Sequence, residues 1–162
     1  MVPAVLLCAE WARGAPWIER CARGPRLADS ARLRALLFVL GSAQLAAWLA
    51  WPRTCYPLVW TSGVFLLEPL LLARGRRGLV SDLARGDWRP WMALWAGGLL
   101  CGFLWELWNV RSYPKWIYHV PGFDEPKLFE MPLPGYLGYL PFALLVYQWK
   151  ELWLDEPELL RE

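Results

Sequence analysis

The sequence predicts an all-α integral membrane helical bundle, and three observations carry that reading. Hydrophobic residues make up 57% of the 162-residue chain, against about 45–50% in soluble domains. Four apolar stretches, at about 33–51, 56–73, 90–109 and 136–153, approach the ~20 residues that a crossing helix needs. Thirteen tryptophans suit the membrane interface, where an apolar ring can keep a wet N–H. The expected organisation is an N-terminal cytoplasmic or interfacial segment (1–30), a four-span membrane domain (31–154) and a short charged tail (155–162).

Residues 1–30 open with the apolar run Val2–Ala9, too short to cross. No basic residues precede it, and Glu10 and Trp11 stand where a signal peptide needs small residues, so it reads as an interfacial helix. Gly14, Pro16, Gly24 and Pro25 break the chain beyond it, and Asp29 or Ser30 can cap the next helix. The first span begins among Arg32 and Arg34 and ends at Trp48 and Trp51. The short Trp51–Pro57 turn makes the first two spans antiparallel neighbours. In the second span Pro69 follows Glu68, placing an expected kink beside a carboxylate. The basic loop after it holds a short surface helix at Ser81–Arg85.

The third span, Pro90–Asn109, has two faces. Wound at 100° per residue, Trp91, Trp95, Gly98, Gly102, Trp105, Glu106 and Asn109 share a sector of roughly 100°. Met92, Ala93, Ala96, Leu100, Phe103, Leu104 and Leu107 cover the rest and suit lipid. Five prolines and interleaved aromatics then exclude a regular helix over 110–135, and a loop of that length is more often a lid or binding element than spare chain. The fourth span carries Tyr136, Leu140, Ala143 and Tyr147 on one face.

Arginine placement sets the orientation. Six arginines lie in residues 1–34 and five between the second and third spans, whereas the first outer turn has only Arg53 and the 110–135 loop has Arg111, Lys115 and Lys127. The positive-inside rule then places both termini in the cytoplasm. Three spans with a re-entrant segment is the alternative. Abundant Arg over Lys, with two Ile and one Asn, points to a GC-rich genome and hence a bacterial inner membrane. A net charge of +2 gives no reason to expect nucleic acid.

Glu106 is the sharpest candidate for chemistry, as general acid or ligand anchor, because charge at membrane depth is costly and faces a bundle interior or cavity. Its structural alternative is an interhelical contact, or a pair with Arg111 or Lys115. Glu68 raises the same choice deeper in its span, with Gln44, a tryptophan N–H or an arginine as partner. Trp91, Trp95 and Trp105 either fill the bundle or line a groove for a flat or polyene ligand. Gly98 and Gly102, in G-x-x-x-G spacing, let another helix approach. Trp116, Tyr118, His119 and Tyr136 complete the ligand or partner candidates.

His119 is the only histidine and lies outside the spans, which excludes a bis-histidine haem within this chain. Cys8, Cys21, Cys55 and Cys101 form no C-x-x-C, so no metal is expected and no disulfide is forced. Phosphate-loop, G-x-S-x-G and H-E-x-x-H motifs are absent, leaving hydrolase, ATPase and metalloenzyme readings without support.

Three runs, FLWELWN (Phe103–Asn109), PKWIY (Pro114–Tyr118) and FEMPLPGYLGYLPFA (Phe129–Ala143), resemble a family of small, uncharacterised bacterial polytopic membrane proteins, as do YPLVWTSGVFLLEPL and DLARGDWRP. A weaker similarity, at MPLPGY (Met131–Tyr136), is to the heterodimeric type of lycopene cyclase; here the paired glutamates are missing and only Glu130 is near. Function reads as a non-catalytic subunit or scaffold, associating with itself, with other membrane subunits or with a pigment, quinone or lipid. The alternative is a membrane enzyme on an isoprenoid, carotenoid or lipid with Glu106 as acid/base.

Overall fold

The computed structural model describes residues 2–120 and 122–153; the expected tail and the last residue of the expected membrane domain lie outside the described residues. The fold is all-α, as expected. Eight α-helices follow one another: α1 (Val2–Arg13), α2 (Pro16–Glu19), α3 (Ala31–Ala50), α4 (Pro52–Cys55), α5 (Leu58–Ala73), α6 (Leu79–Arg85), α7 (Arg89–Asn109) and α8 (Tyr139–Trp153). Neighbours pack in the order α3, α5, α8, α7, α1.

Each contact has a local cause. Ser30 Oγ accepts the Leu33 N–H at 3.1 Å and starts α3. At Gly41 a Cβ would lie 3.1 Å from the Leu66 backbone nitrogen, so the missing side chain lets α5 close on α3. One turn on, Thr61 Oγ1 donates to Gln44 Oε1 at 2.8 Å. Pro69 lies inside α5, which continues to Ala73.

Gly98 and Gly102 both face α8. Added Cβ atoms there would meet the Tyr139 carbonyl oxygen at 2.8 Å and the Tyr139 ring at 2.5 Å. The expected close approach therefore occurs, with the chain's own last helix as partner. On the other side of α7, a Cβ on Gly97 would meet the Ala9 backbone at 2.4 Å. Ala12 and Ile18 pack further down against Ala93, with Met92 and Ala96 alongside. Part of the α7 face expected to meet lipid is thus covered by α1 and α2, and α1 runs antiparallel along α7 with Val5 and Ala9 buried. Val5, Leu94, Cys101, Ala143, Leu144 and Tyr147 belong to the principal core.

Among the described residues, only α3 is both long and apolar enough to cross a membrane; α5 is apolar but shorter. A bundle of four spans is therefore unsupported by helix length and hydropathy. The reason is visible in α7, which has 21 residues but carries Arg89, Glu106, Asn109 and weakly apolar glycines and tryptophans. The basic loop also differs from expectation. Its helix α6 is longer than Ser81–Arg85 and is no surface helix, since Leu79, Val80, Asp82 and Leu83 are buried. Gly86, at φ +79°, ends it in the left-handed conformation that favours glycine.

The proline-rich loop holds more order than its composition suggests. Lys127–Leu128 (β1) pairs antiparallel with Met131–Pro132 (β2), and a 3-10 turn over Leu133–Gly138 leads into α8. Phe129, in the hairpin turn, lies against Phe103 of α7 with ring centres 5.5 Å apart.

Candidate functional site

Two buried glutamates lie toward opposite ends of the bundle. At the loop end, Glu106 is fully buried on the last turn of α7. Tyr139 Oη donates to Glu106 Oε1 at 3.4 Å, and Asn109 Nδ2 to Oε2 at 3.4 Å. The Tyr118 phenol adjoins this carboxylate. Trp105 Nε1 donates to Tyr118 Oη at 3.4 Å, closing the group. Neither Arg111 nor Lys115 reaches Glu106: Lys115 pairs with Glu130 at 2.5 Å, and Arg111 is exposed with no ion pair among the described residues.

Asn109 ties this group to the loop. Its Oδ1 accepts the Trp116 N–H at 2.7 Å, and its Nδ2 donates to the Trp116 carbonyl oxygen at 2.8 Å. A side-chain amide reproduces one rung of a strand ladder in this way, with one good donor and one good acceptor. Trp116 is held by its backbone while its side chain stays 65% exposed. Tyr136 Oη donates to the Leu128 carbonyl oxygen at 3.2 Å, and its ring lies 6.0 Å from that of Tyr139. Burial pushes the Tyr118 phenol above its ordinary range, with the nearby Glu106 carboxylate adding to the shift. His119 stands apart and exposed, 3.4 Å from Asp124.

Glu68 is set into a different surrounding. Its Oε2 accepts the Leu79 N–H at 3.1 Å and the Gln148 amide at 2.7 Å, while Oε1 accepts the Val80 N–H at 2.6 Å. The carboxylate therefore fills the first turn of α6, whose free N–H groups need acceptors. Gly78 makes room, because a Cβ there would lie 2.3 Å from Glu68 Oε1. Trp91 Nε1 donates to the Leu79 carbonyl oxygen at 3.2 Å and stacks edge-on against Trp95. Trp95 Nε1 is buried with no hydrogen-bond partner among the described residues. Gln44, expected as a partner of Glu68, is joined to Thr61 instead.

Of the twelve residues singled out from sequence, the structure gathers Trp105, Glu106, Asn109, Trp116 and Tyr118 at the loop end, with Tyr136 adjoining. Gly98 and Gly102 serve helix packing. Trp91 and Glu68 belong with α6, Trp95 stacks beside Trp91, and His119 lies outside both groups. Sequence reasoning missed Tyr139 and Gln148, which bring α8 to the two carboxylates. Tyr139, Ala143 and Tyr147 repeat every fourth residue, and that stripe was the available signal. Tyr139 and Gln148 are nine residues apart, about 14 Å along a helix, so the carboxylates are not a catalytic pair. Among the described residues, no group of three or more His, Cys, Asp or Glu is arranged to hold a metal ion.

Compared with models of protein families, with curated proteins and with solved structures, the chain matches none.

Proposed function

We propose that the chain is an integral membrane protein with α3, α5, α7 and α8 spanning, and that it is a non-catalytic component binding a hydrophobic ligand at the loop end of α7. The membrane reading is supported by apolar surface that water would not tolerate in such amount. Leu36, Phe38, Val39 and Leu49 on α3 are each more than half exposed, and Leu70, Leu99, Phe103 and Leu107 continue the apolar surface onto α5 and α7. The buried ends of the spans are polar, and arginines collect at one end only. Under this reading the arginine-bearing end is cytoplasmic and the 110–135 loop is outside, while α1, antiparallel to α7 with Ala9 on Gly97, starts deeper in the bundle than that end.

The observation that carries the binding site is the setting of Glu106. A fully buried carboxylate faces phenols and an amide and no cation, beneath a loop exposing Tyr113, Trp116, Ile117 and Phe123. An apolar lining with a few convergent polar groups suits a lipid, quinone or pigment with one polar headgroup. A partner helix is the less favoured occupant, because α8 already fills the glycine face of α7.

The second reading is a membrane enzyme acting on an isoprenoid, carotenoid or other lipid, with Glu106 as acid/base. It is favoured by the same setting, a buried carboxyl group that meets side-chain O–H and N–H groups and no cation among the described residues. Gentle purification followed by lipid extraction separates the two. A stoichiometric hydrophobic compound that co-purifies with the unsubstituted chain and is lost or weakened in Glu106→Gln supports binding. A compound accumulating only in the Glu106→Gln strain supports catalysis. A chain that carries neither, with unchanged behaviour after Glu106→Gln, removes both.

A further inference from the structure

We infer that the arginine-bearing end of the bundle is a docking surface for the headgroups of anionic phospholipids. The inference rests on the membrane reading above and is independent of the Glu106 site. Residues 10–34 and 74–89 contain eleven arginines against five acidic residues. The acids are largely spent inside this end. Asp29 holds Arg34 at 2.6 Å, Asp82 holds Arg77 at 2.7 Å as well as Arg85, and Asp87 holds Arg89 at 3.0 Å with Glu19 on the same guanidinium at 3.4 Å. Arg20, Arg23, Arg26, Arg32 and Arg74 are all exposed and form no ion pair among the described residues.

The fold brings these cations together. Gly24 N–H donates to the Gly86 carbonyl oxygen at 2.8 Å, Leu27 N–H to that of Leu83 at 3.1 Å, and Trp88 N–H to that of Cys21 at 3.0 Å. These bonds lay the segment bearing Arg20, Arg23 and Arg26 over α6 and the start of α7. Arg26 lies across Gly86. The antiparallel register fixed by Gly41 on Leu66 and Gln44 on Thr61 brings Arg32 to about the level of Arg74. Two like charges side by side are destabilising unless an anion shares them. Trp11 and Trp17, 77% and 47% exposed, flank the surface with rings suited to the headgroup layer. The other end of the bundle is nearer to balance, with Arg53, Arg111, Lys115 and Lys127 against Asp124, Glu125 and Glu130. Arginine's planar fork matches a phosphodiester in two hydrogen bonds. Lipid anions, held at a fixed depth beside the flanking tryptophans, fit this surface better than a soluble polyanion.

The test uses the purified chain reconstituted in nanodiscs of phosphatidylcholine, with and without phosphatidylglycerol, and counts retained lipids by native mass spectrometry. The expected result is selective retention of phosphatidylglycerol that falls with salt. Arg20→Gln, Arg23→Gln and Arg26→Gln together, and Arg32→Gln with Arg74→Gln, should each weaken retention by roughly fivefold per charge removed. Equal retention of the two lipids, or no change in the substituted chains, overturns the inference while leaving the membrane reading intact. Displacement of phosphatidylglycerol by added RNA overturns it in favour of a nucleic-acid partner. Failure to insert into phosphatidylcholine nanodiscs, with extraction from native membranes by alkaline carbonate, removes the membrane reading itself.

Discussion

Glu68 and Glu106 are both glutamates buried in a helix of the same bundle, yet they do different work. Glu68 has three donors at 2.6–3.1 Å, two of them backbone N–H groups fixed by α6. Its Tyr139 and Asn109 counterparts reach Glu106 only at 3.4 Å, and all the donors there are side chains. A carboxylate that fills a helix start is a structural part, because the Leu79 and Val80 N–H groups have no other acceptor among the described residues. A carboxylate with long bonds from rotatable groups can exchange those partners for a ligand's. Burial alone therefore does not identify a functional acid; the length and origin of its hydrogen bonds separate the two.

The comparison breaks most visibly at Glu68. Glu68→Ala leaves the Leu79 and Val80 N–H groups without an acceptor in a buried setting, and the Gln148 amide with only the Val64 carbonyl oxygen, which should cost about 3–5 kcal/mol of stability. Thermal unfolding in detergent, followed by circular dichroism, measures it. A loss below about 1 kcal/mol, within the range of an ordinary surface substitution, would mean that the α6 start is satisfied elsewhere. The next largest effect is Gly102→Leu. Its Cβ would be driven into the Tyr139 ring, and overpacking of this kind costs about 1–3 kcal/mol. Because Tyr139 also serves Glu106, ligand retention should fall along with stability. Gly138→Ala is the fitting control for added bulk, since nothing lies within 4 Å of its Cβ and its backbone is not in the left-handed region.

The helices were legible because their causes are local. Ser30 before an apolar run, prolines at 52 and 57, and glycines spaced by four each act within a few residues. The α7 sector placed Trp105, Glu106 and Asn109 together for the same reason. The role of Glu68 was not legible, because its donors belong to a helix eleven residues away whose start, at Gly78, has no capping side chain to announce it. Nor was the course of residues 1–30. The apolar run Val2–Ala9 is ambiguous by its shortness, and only the missing side chain at Gly97 reveals where its backbone meets α7. The membrane topology lies between these cases, since hydropathy singles out α3 alone while the exposed apolar surface extends well beyond it.

Glu106→Gln sharpens the contrast from the other side. The amide keeps one carbonyl oxygen for Tyr139, and the bonds it loses are long, so stability should change by less than about 1 kcal/mol. Ligand retention is the readout that should respond. If unfolding shifts as far as in Glu68→Ala, the two carboxylates are equivalent structural parts and the loop end loses its claim to be a site.

The smallest effect tests whether the arginine end is held by its surface charges or by Glu68. Asp87 accepts three bonds from Arg89, each at 3.0 Å. Partial burial works to raise its carboxyl, but the Arg89 bonds and charge prevail and hold it below the usual carboxylate range. A lowered folded-state value means that the stabilisation is complete above the unfolded value of about 3.9 and is lost as pH falls through the folded one. Acidification below about pH 4 should therefore remove a contribution of under 1 kcal/mol, the usual worth of a half-exposed pair. Asp87→Asn should remove the same amount at neutral pH and flatten the acid limb of the unfolding curve. A loss at neutral pH matching that of Glu68→Ala would instead place the weight of this end on the Asp87–Arg89 pair.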